Sequence, residues 1–301
     1  MIATAISMPP QALPYTLDTS PNIFRERFGA LSIEQWRDLL VESMRTQVIG
    51  DVEFPRFPPA AIQEQIHGQS GEPAINEAFA VYAFVKSKQI LQEKLAQNCS
   101  FLDFGTGWGR IVRMFMRDFD LNRIFGFEPQ RATCFVARSL NPYLCFLNGE
   151  FTPDGTLPAN RFDLVVGWSV FSHLSELSTT IWLEEMARVT RPNGYCVFST
   201  WGERFLNTLM SEQNNLAQGK EVHWYYQMCL KAAGDIVAER DRYLNGEFVW
   251  FGDDPSLYYG HACFLHPNAL LHILQARGIA FELVEFDRKS LAQDVFILRR
   301  T

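Results

Sequence analysis

Asp103 is followed at even steps by Gly105, Gly107 and Gly109, and a second acid, Glu128, closes an apolar run about twenty residues further on. These residue types in this order suit the capture of a nucleotide. The apolar run from Phe101 to Phe104 predicts a short buried strand, and the glycines predict a tight turn whose backbone can approach a ligand. The run from Arg110 to Arg117 predicts the helix that follows, with its free N–H groups directed above the turn. Arg123 to Glu128 predicts a second strand, and a carboxylate at its end can accept hydrogen bonds from both hydroxyls of a ribose. Three histidines could move a proton. His173 follows the fourth predicted strand, His261 stands where an aromatic insertion rejoins the core, and His67 lies near Gly68 and Gly71. Each also has a structural alternative: pocket-floor packing for His173, a capping or core role for His261, and for His67 a place in a segment that reaches the site only as a lid.

The turn is not a dinucleotide fingerprint, because Arg110 holds the position where G-x-G-x-x-G requires its third glycine. Asp103 would also repel a pyrophosphate, whereas its charge suits an ammonium or sulfonium group. The spacing D-x-G-x-G-x-G resembles motif I of class I S-adenosylmethionine-dependent methyltransferases. The resemblance continues in order through the second strand at Glu128, the third at Leu144–Phe151, the fourth at Arg161–Leu174 and the fifth, ending at Thr200. At the turn before the fifth strand Asn193 stands where that family has a glycine, a substitution a left-handed backbone tolerates. Gly107-Trp-Gly-Arg, Ser169-Val-Phe-Ser-His-Leu and Gln293-Asp-Val-Phe-Ile-Leu-Arg-Arg resemble a bacterial, mostly uncharacterised subgroup, some members of which accompany glycan-assembly enzymes.

The resemblance implies S-adenosyl-L-methionine as cofactor. It would be held by Asp103, Gly105, Thr106, Gly107, Trp108, Gly109, Glu128, Pro129, Glu150, Phe151, Trp168 and Ser169, with Glu128 on the ribose and Glu150 and the Phe151 backbone near the adenine. Asn148 could take the polar role of Glu150. Trp108 has two readings, shielding the cofactor or packing between the N-terminal region and the core. Arg110 opposes the helix dipole and asks for a partner in Asp103, Glu128 or a substrate anion, or for solvent. The implied activity is methylation of a small-molecule or glycan hydroxyl, with His173 and His261 as candidate catalytic residues. A nucleotide-dependent oxidoreductase and a catalytically silent cofactor-binding partner protein are the alternatives.

The elements that must position these residues fall into a Rossmann-like α/β fold, with a seven-stranded, mostly parallel sheet whose last strand is antiparallel, plus a helical N-terminal cover. Residues 1–22 read as a loose arm. Residues 23–97 form the cover, with helices at Ile33–Val41 and Ala74–Leu95 joined by an extended, proline-bearing connector. Residues 98–202 form the first part of the core, 203–260 an aromatic-rich insertion that is either a satellite core or the wall of a substrate pocket, and 261–301 the closing helix and hairpin.

Composition bounds the rest. A net charge of -7 lacks the footprint of a nucleic-acid binder, and the basic cluster from Arg110 to Arg123 reads as the solvated face of the first helix. The fourth strand is followed by Ser169-Val-Phe-Ser rather than a polar-Pro-Pro-aromatic string, which argues against DNA base methylation. Six cysteines at 99, 134, 145, 196, 229 and 263 show no C-x-x-C pair or zinc pattern, so free thiols and no metal are expected. No apolar stretch is long enough to span a bilayer, and a cytoplasmic location is the expectation. The sequence leaves the oligomeric state open.

Overall fold

The computed structural model describes residues 21–253 and 259–301. Seven short, apolar segments pair into one sheet: β1 (Phe101–Phe104), β2 (Ile124–Phe127), β3 (Cys145–Leu147), β4 (Phe162–Gly167), β5 (Thr190–Thr200), β6 (Phe281–Asp287) and β7 (Asp294–Arg300). Their order is β6-β7-β5-β4-β1-β2-β3, and only β7 runs against its neighbours. The sheet is therefore the expected one. All four residues of β1 and of β2 are buried, as a strand covered on both faces requires. The strand order reverses between β1 and β4, which places the carboxyl end of β1 beside the switch-point crevice where open α/β sheets bind ligands.

The cover is built from α1 (Ile23–Phe28), α2 (Ile33–Glu42), α3 (Ala60–His67) and α4 (Gly71–Ser87). Ser32 and Gln35 close a capping box on α2, and α4 buries Ala74, Ile75, Ala78, Val81, Tyr82 and Val85 at helical spacing. The connector is not wholly extended. Pro58 and Pro59 precede α3 rather than interrupt it, and Gly68 ends it at a φ of 71°. Most of the expected N-terminal arm lies outside the described residues, but Asn22 is no part of a loose one. Its side chain caps α1 by accepting from the Phe24 and Arg25 amides and donates to the carbonyls of Met116 and Phe119 at 2.6 Å each.

The largest departure from expectation follows β1. Residues 110–117 form consecutive turns with a short 3₁₀ segment at Val112–Phe115, not a regular helix. The segment is sealed between cover and sheet, and its polar groups find partners that an α-helical ladder would have used. The Val112 amide donates to Asp103 Oδ2 at 3.1 Å, and Arg113 Nε donates to the Gly109 carbonyl at 3.1 Å. Arg110, Arg113 and Arg117 are accordingly buried, not a solvated face. Arg113 also donates to Asn141 Oδ1 at 2.7 Å and to the Arg56 carbonyl at 3.1 Å, with its guanidinium over the rings of Phe57 and Trp108. Arg117 reaches the carbonyls of Phe28, Leu31 and Ser32 and the Tyr82 hydroxyl. These arginines fasten the cover to the core.

α5 (Arg131–Leu140) follows β2 and α6 (Glu176–Val189) follows β4, and between β5 and β6 the chain leaves the sheet for α7 (Glu203–Ala217), α8 (Trp224–Ala233), α9 (Ile236–Leu244) and a hairpin of Phe248–Phe251 with Ala262–Leu265. Phe205, Leu209, Leu230, Tyr243, Val249 and Phe264 belong to a hydrophobic cluster of its own. The described chain then completes the sheet through α10 (Pro267–Arg277). Arg113→Ala should lower the unfolding free energy by about 3–5 kcal/mol in a denaturant titration, through lost charge-assisted hydrogen bonds and an unfilled space. Arg113→Lys should restore little, because an ammonium cannot reproduce the planar fork.

Candidate active site

The glycine turn is anchored to the end of β2. The amides of Gly105 and Thr106 both donate to the Phe127 carbonyl at 2.9 Å, and the Gly107 amide donates to Glu128 Oε2 at 3.0 Å. Gln130 N–H holds the other carboxylate oxygen at 2.9 Å. Burial pushes the Glu128 pKa up, and these two amide donors oppose that shift. Pro129 follows it half-buried, and Asn148 Nδ2 donates to the carbonyls of Glu128 and Pro129, so Asn148 braces the loop. Gly105 and Gly107 have φ of 72° and 57°. A Cβ on Gly105 would stand 2.3 Å from Val170 Cγ2, so no larger residue fits there.

Asp103 is turned into the turn itself. Its Oδ2 accepts from Thr106 Oγ1 at 2.7 Å and from Val112 N–H, and burial lifts its pKa to about 7. Trp108 is fully buried against Phe57 and His67 of the cover, with ring centroids 5.7 and 6.0 Å away, and Gly109 completes the turn by donating to the Thr106 carbonyl. Arg110 pairs with none of the partners the sequence suggested. Its partner is Glu77 of α4, whose Oε2 lies 2.6 Å from Arg110 Nη1 while Oε1 accepts from Trp168 Nε1 at 2.9 Å. One cover carboxylate thus ties the turn to the end of β4.

Beyond Trp168, Ser169 has a φ of 57°, an uncommon value for a residue with a side chain. A closed ring of hydrogen bonds holds it there. Its amide donates to Ser199 Oγ at 2.9 Å, Ser199 Oγ donates to Gln293 Oε1 at 2.7 Å, and Gln293 Nε2 donates to Ser169 Oγ at 2.9 Å. At the other end of the crevice Glu150 and Phe151 are exposed, and the Phe151 carbonyl accepts from Trp182 Nε1 at 3.1 Å.

The two histidines nominated as catalytic meet on one cavity of about 310 Å³, lined also by Trp224, Tyr225, Asp253 and Tyr259. The insertion reaches it by running alongside the segment after β4. Gly260 N–H donates to the His173 carbonyl at 2.7 Å, Cys263 N–H to the Ser172 carbonyl at 2.6 Å, and Leu174 bridges Tyr259. His173 Nδ1 lies 3.3 Å from the Gly260 carbonyl, its ring stacks on Tyr259 at 4.9 Å, and burial lowers its pKa to about 4. A carbonyl only accepts, so Nδ1 carries the proton and Nε2 keeps its lone pair. His261 Nε2 lies 3.4 Å from Asp253 Oδ1. The insertion is thus both a satellite core and a cavity wall.

A methyltransferase-domain family model matches residues 77–285, more than half of the chain. The chain belongs to the methyltransferase-domain family. Together with motif I, this makes it an S-adenosylmethionine-dependent methyltransferase of the Rossmann-like class. Solved structures similar to the methyltransferase include a SAM-dependent methyltransferase from Methanosarcina mazei (15% identity over 71% of this chain and 97% of that chain, TM-score 0.45). Another is an S-adenosylmethionine-dependent methyltransferase from Mesorhizobium loti (14% identity, 73% and 98%, TM-score 0.46). A third is the magnesium protoporphyrin IX methyltransferase of Synechocystis PCC 6803 with bound SAH (10% identity, 88% and 99%, TM-score 0.48). No curated protein matches the chain. Among the described residues no helix is long and apolar enough to cross a membrane.

Glu77 and Ser199 are not singled out by the sequence, because each acts through partners far away in the chain, and nothing in the sequence around Asp253 marks its approach to the nearby His261. Only Glu77 carried a local signal, as an acid within the apolar pattern of α4.

His173 should contribute a loss of stability as pH falls below about 6.5, where the unfolded chain protonates this histidine and the folded one does not until about pH 4, while Asp103, raised to about 7, contributes in the opposite sense. His173→Phe should flatten that dependence by up to one proton in unfolding titrations between pH 7 and 4. An unchanged slope would show that His173 titrates normally in the folded protein.

Proposed function

We propose that the methyltransferase transfers a methyl group to a hydroxyl of a small molecule or glycan held in the cavity between His173 and His261. The observation that carries this reading is the pairing, on one aromatic-walled cavity, of an imidazole locked in its Nδ1–H form with a second imidazole backed by a carboxylate. When bound, S-adenosylmethionine supplies a sulfonium methyl group open to in-line attack.

The residues of the turn fit such a cofactor. Glu128, held by two amides, is poised for ribose hydroxyls; the turn from Gly105 to Gly109 offers the backbone approach; Glu150 and Phe151 border the adenine end; Trp168 and Ser169 form the floor. On the acceptor side the exposed face of Trp224 with Tyr225 and Tyr259 suits a sugar ring or another flat ligand. His173 Nε2 accepts a hydrogen bond from a second hydroxyl of the acceptor and orients it, which leaves the single proton of the reacting hydroxyl to His261. His261 takes the hydroxyl proton as the oxygen is methylated, and Asp253 stabilises the imidazolium that forms. Positioning supplies most of the acceleration, since a well-oriented pair recovers roughly 7–11 kcal/mol of barrier.

Calorimetric titration with S-adenosylmethionine, S-adenosylhomocysteine and NADH tests the cofactor site. Binding of the two sulfur ligands alone is expected, and Glu128→Ala should weaken both about tenfold or more through loss of charge-assisted hydrogen bonds worth roughly 1.5–3 kcal/mol. Binding of NADH alone would make the protein an oxidoreductase candidate. With an acceptor found by labelled-methyl screening of glycans and small hydroxylated molecules, His261→Asn should lower kcat by about two to four orders of magnitude and leave S-adenosylhomocysteine affinity unchanged. Full turnover in that variant would remove the proton-transfer role.

A further inference from the structure

The hairpin of Phe248–Phe251 with Ala262–Leu265 turns alternate side chains to opposite faces. Val249 and Phe251 enter the insertion's own hydrophobic cluster, so Trp250 between them points the other way. Two glycines receive its indole where the paired strands end. A Cβ on Gly260 would lie 2.5 Å from Trp250 Cε2 and 2.6 Å from Nε1, and one on Gly252 would collide with Cη2. Neither glycine has a positive φ, so it is the ring lying against them, not the course of the backbone, that excludes a side chain. Trp250 Nε1 donates to the His173 carbonyl at 3.1 Å, the same carbonyl that the Gly260 amide reaches at 2.7 Å. Both polar groups of Gly260 therefore serve His173, the amide on its main chain and the carbonyl beside ring Nδ1. The direction of that one carbonyl decides which ring nitrogen holds the proton.

We propose that Trp250 is a positioning residue: its indole, seated on Gly252 and Gly260 and bonded to the His173 carbonyl, holds Gly260 so that the imidazole keeps its Nδ1–H form and presents Nε2 to the acceptor. The inference rests on the reading of the cavity above and deepens it. Trp250 stands behind the cavity and acts through His173 and Gly260, which line it. Without the indole donor the His173 carbonyl keeps a single partner, and Gly260 is free to tilt. Its carbonyl then leaves Nδ1, where a separation of 3.3 Å gives little margin. The ring can next hold its proton on either nitrogen, and water entering beside it relieves the burial that keeps its pKa at about 4. The titratable groups facing the ring are Tyr259, stacked on it, and His261, with Asp253 on the same cavity. A substitution at Trp250 alters none of them, so a change in the titration reports the placement of the ring itself.

The test reads the histidine rings directly. Protein carrying isotope-labelled histidine is titrated by nitrogen NMR from about pH 8 to 5, a range in which wild-type His173 stays neutral, as the wild type, Trp250→Phe and Trp36→Phe. Trp36 is the control, because its indole also donates to a carbonyl, that of Met114 at 2.8 Å, but within the cover. His173→Phe identifies the signals by their loss. The wild type should show the single Nδ1–H form throughout. In Trp250→Phe both tautomers should appear, and the His173 midpoint should rise by about one unit or more toward the ordinary 6.5. Trp36→Phe should lose stability and leave the His173 signals where they are. Should Trp250→Phe fail to fold, the benzothiophene analogue of tryptophan at position 250, which keeps the bicyclic ring and lacks the N–H, gives the same comparison. An unmoved His173 in the Trp250 protein, or an equal change in Trp36→Phe, would overturn the positioning role. No acceptor is needed, so a wrong role for Trp250 and a wrong reading of the cavity show themselves in different experiments.

Discussion

The stretch that follows β1 lies between two layers, the sheet beneath and the cover above, and everything else about the molecule answers to that confinement. Backbone and side-chain polar groups sealed from water need protein partners. The arginines of this stretch take carbonyls of the cover and the turn, Asp103 takes an amide that a helix would have used, and Glu77 joins the turn to Trp168. The cover is thereby part of the cofactor half rather than an appendage to it.

The same confinement explains what could and could not be seen in the sequence. The strands of the sheet were legible because each is a short apolar run bounded by turn residues, and the order of acids and glycines fixed where the crevice lies. Asn193 was legible as a left-handed position, and its φ is 61°. The fate of residues 110–117 was not. Their apolar and basic pattern is that of an amphipathic helix with a wet face, and only the arrival of α2 and α4 turns the basic side inward. α3 was hidden by the prolines before it, which mark a helix start as readily as a break.

A second long-range event builds the cavity at His173 and His261. His173 and His261 are separated by a whole substructure in the chain, and the backbone pairing of Gly260 and Cys263 with the segment after β4 is what sets them side by side. Because the insertion has its own hydrophobic cluster, its cavity-facing aromatics stand on helices and strands that do not depend on the packing of the cofactor turn. The insertion and the glycine turn thus belong to separate hydrophobic cores, joined along one short seam.

The bonds from the cover to Met114, Met116 and Phe119 also have a temporal side. Asn22 and Trp36 leave the ribosome long before the carbonyls they donate to, which lie 78 to 97 residues later in the chain. The nascent cover, with Phe24, Trp36 and Phe54 ready to cluster, has no surface to close on until that later stretch emerges. Vectorial synthesis thus presents an aromatic segment early and its docking partner late, an interval in which a holding chaperone would find its substrate.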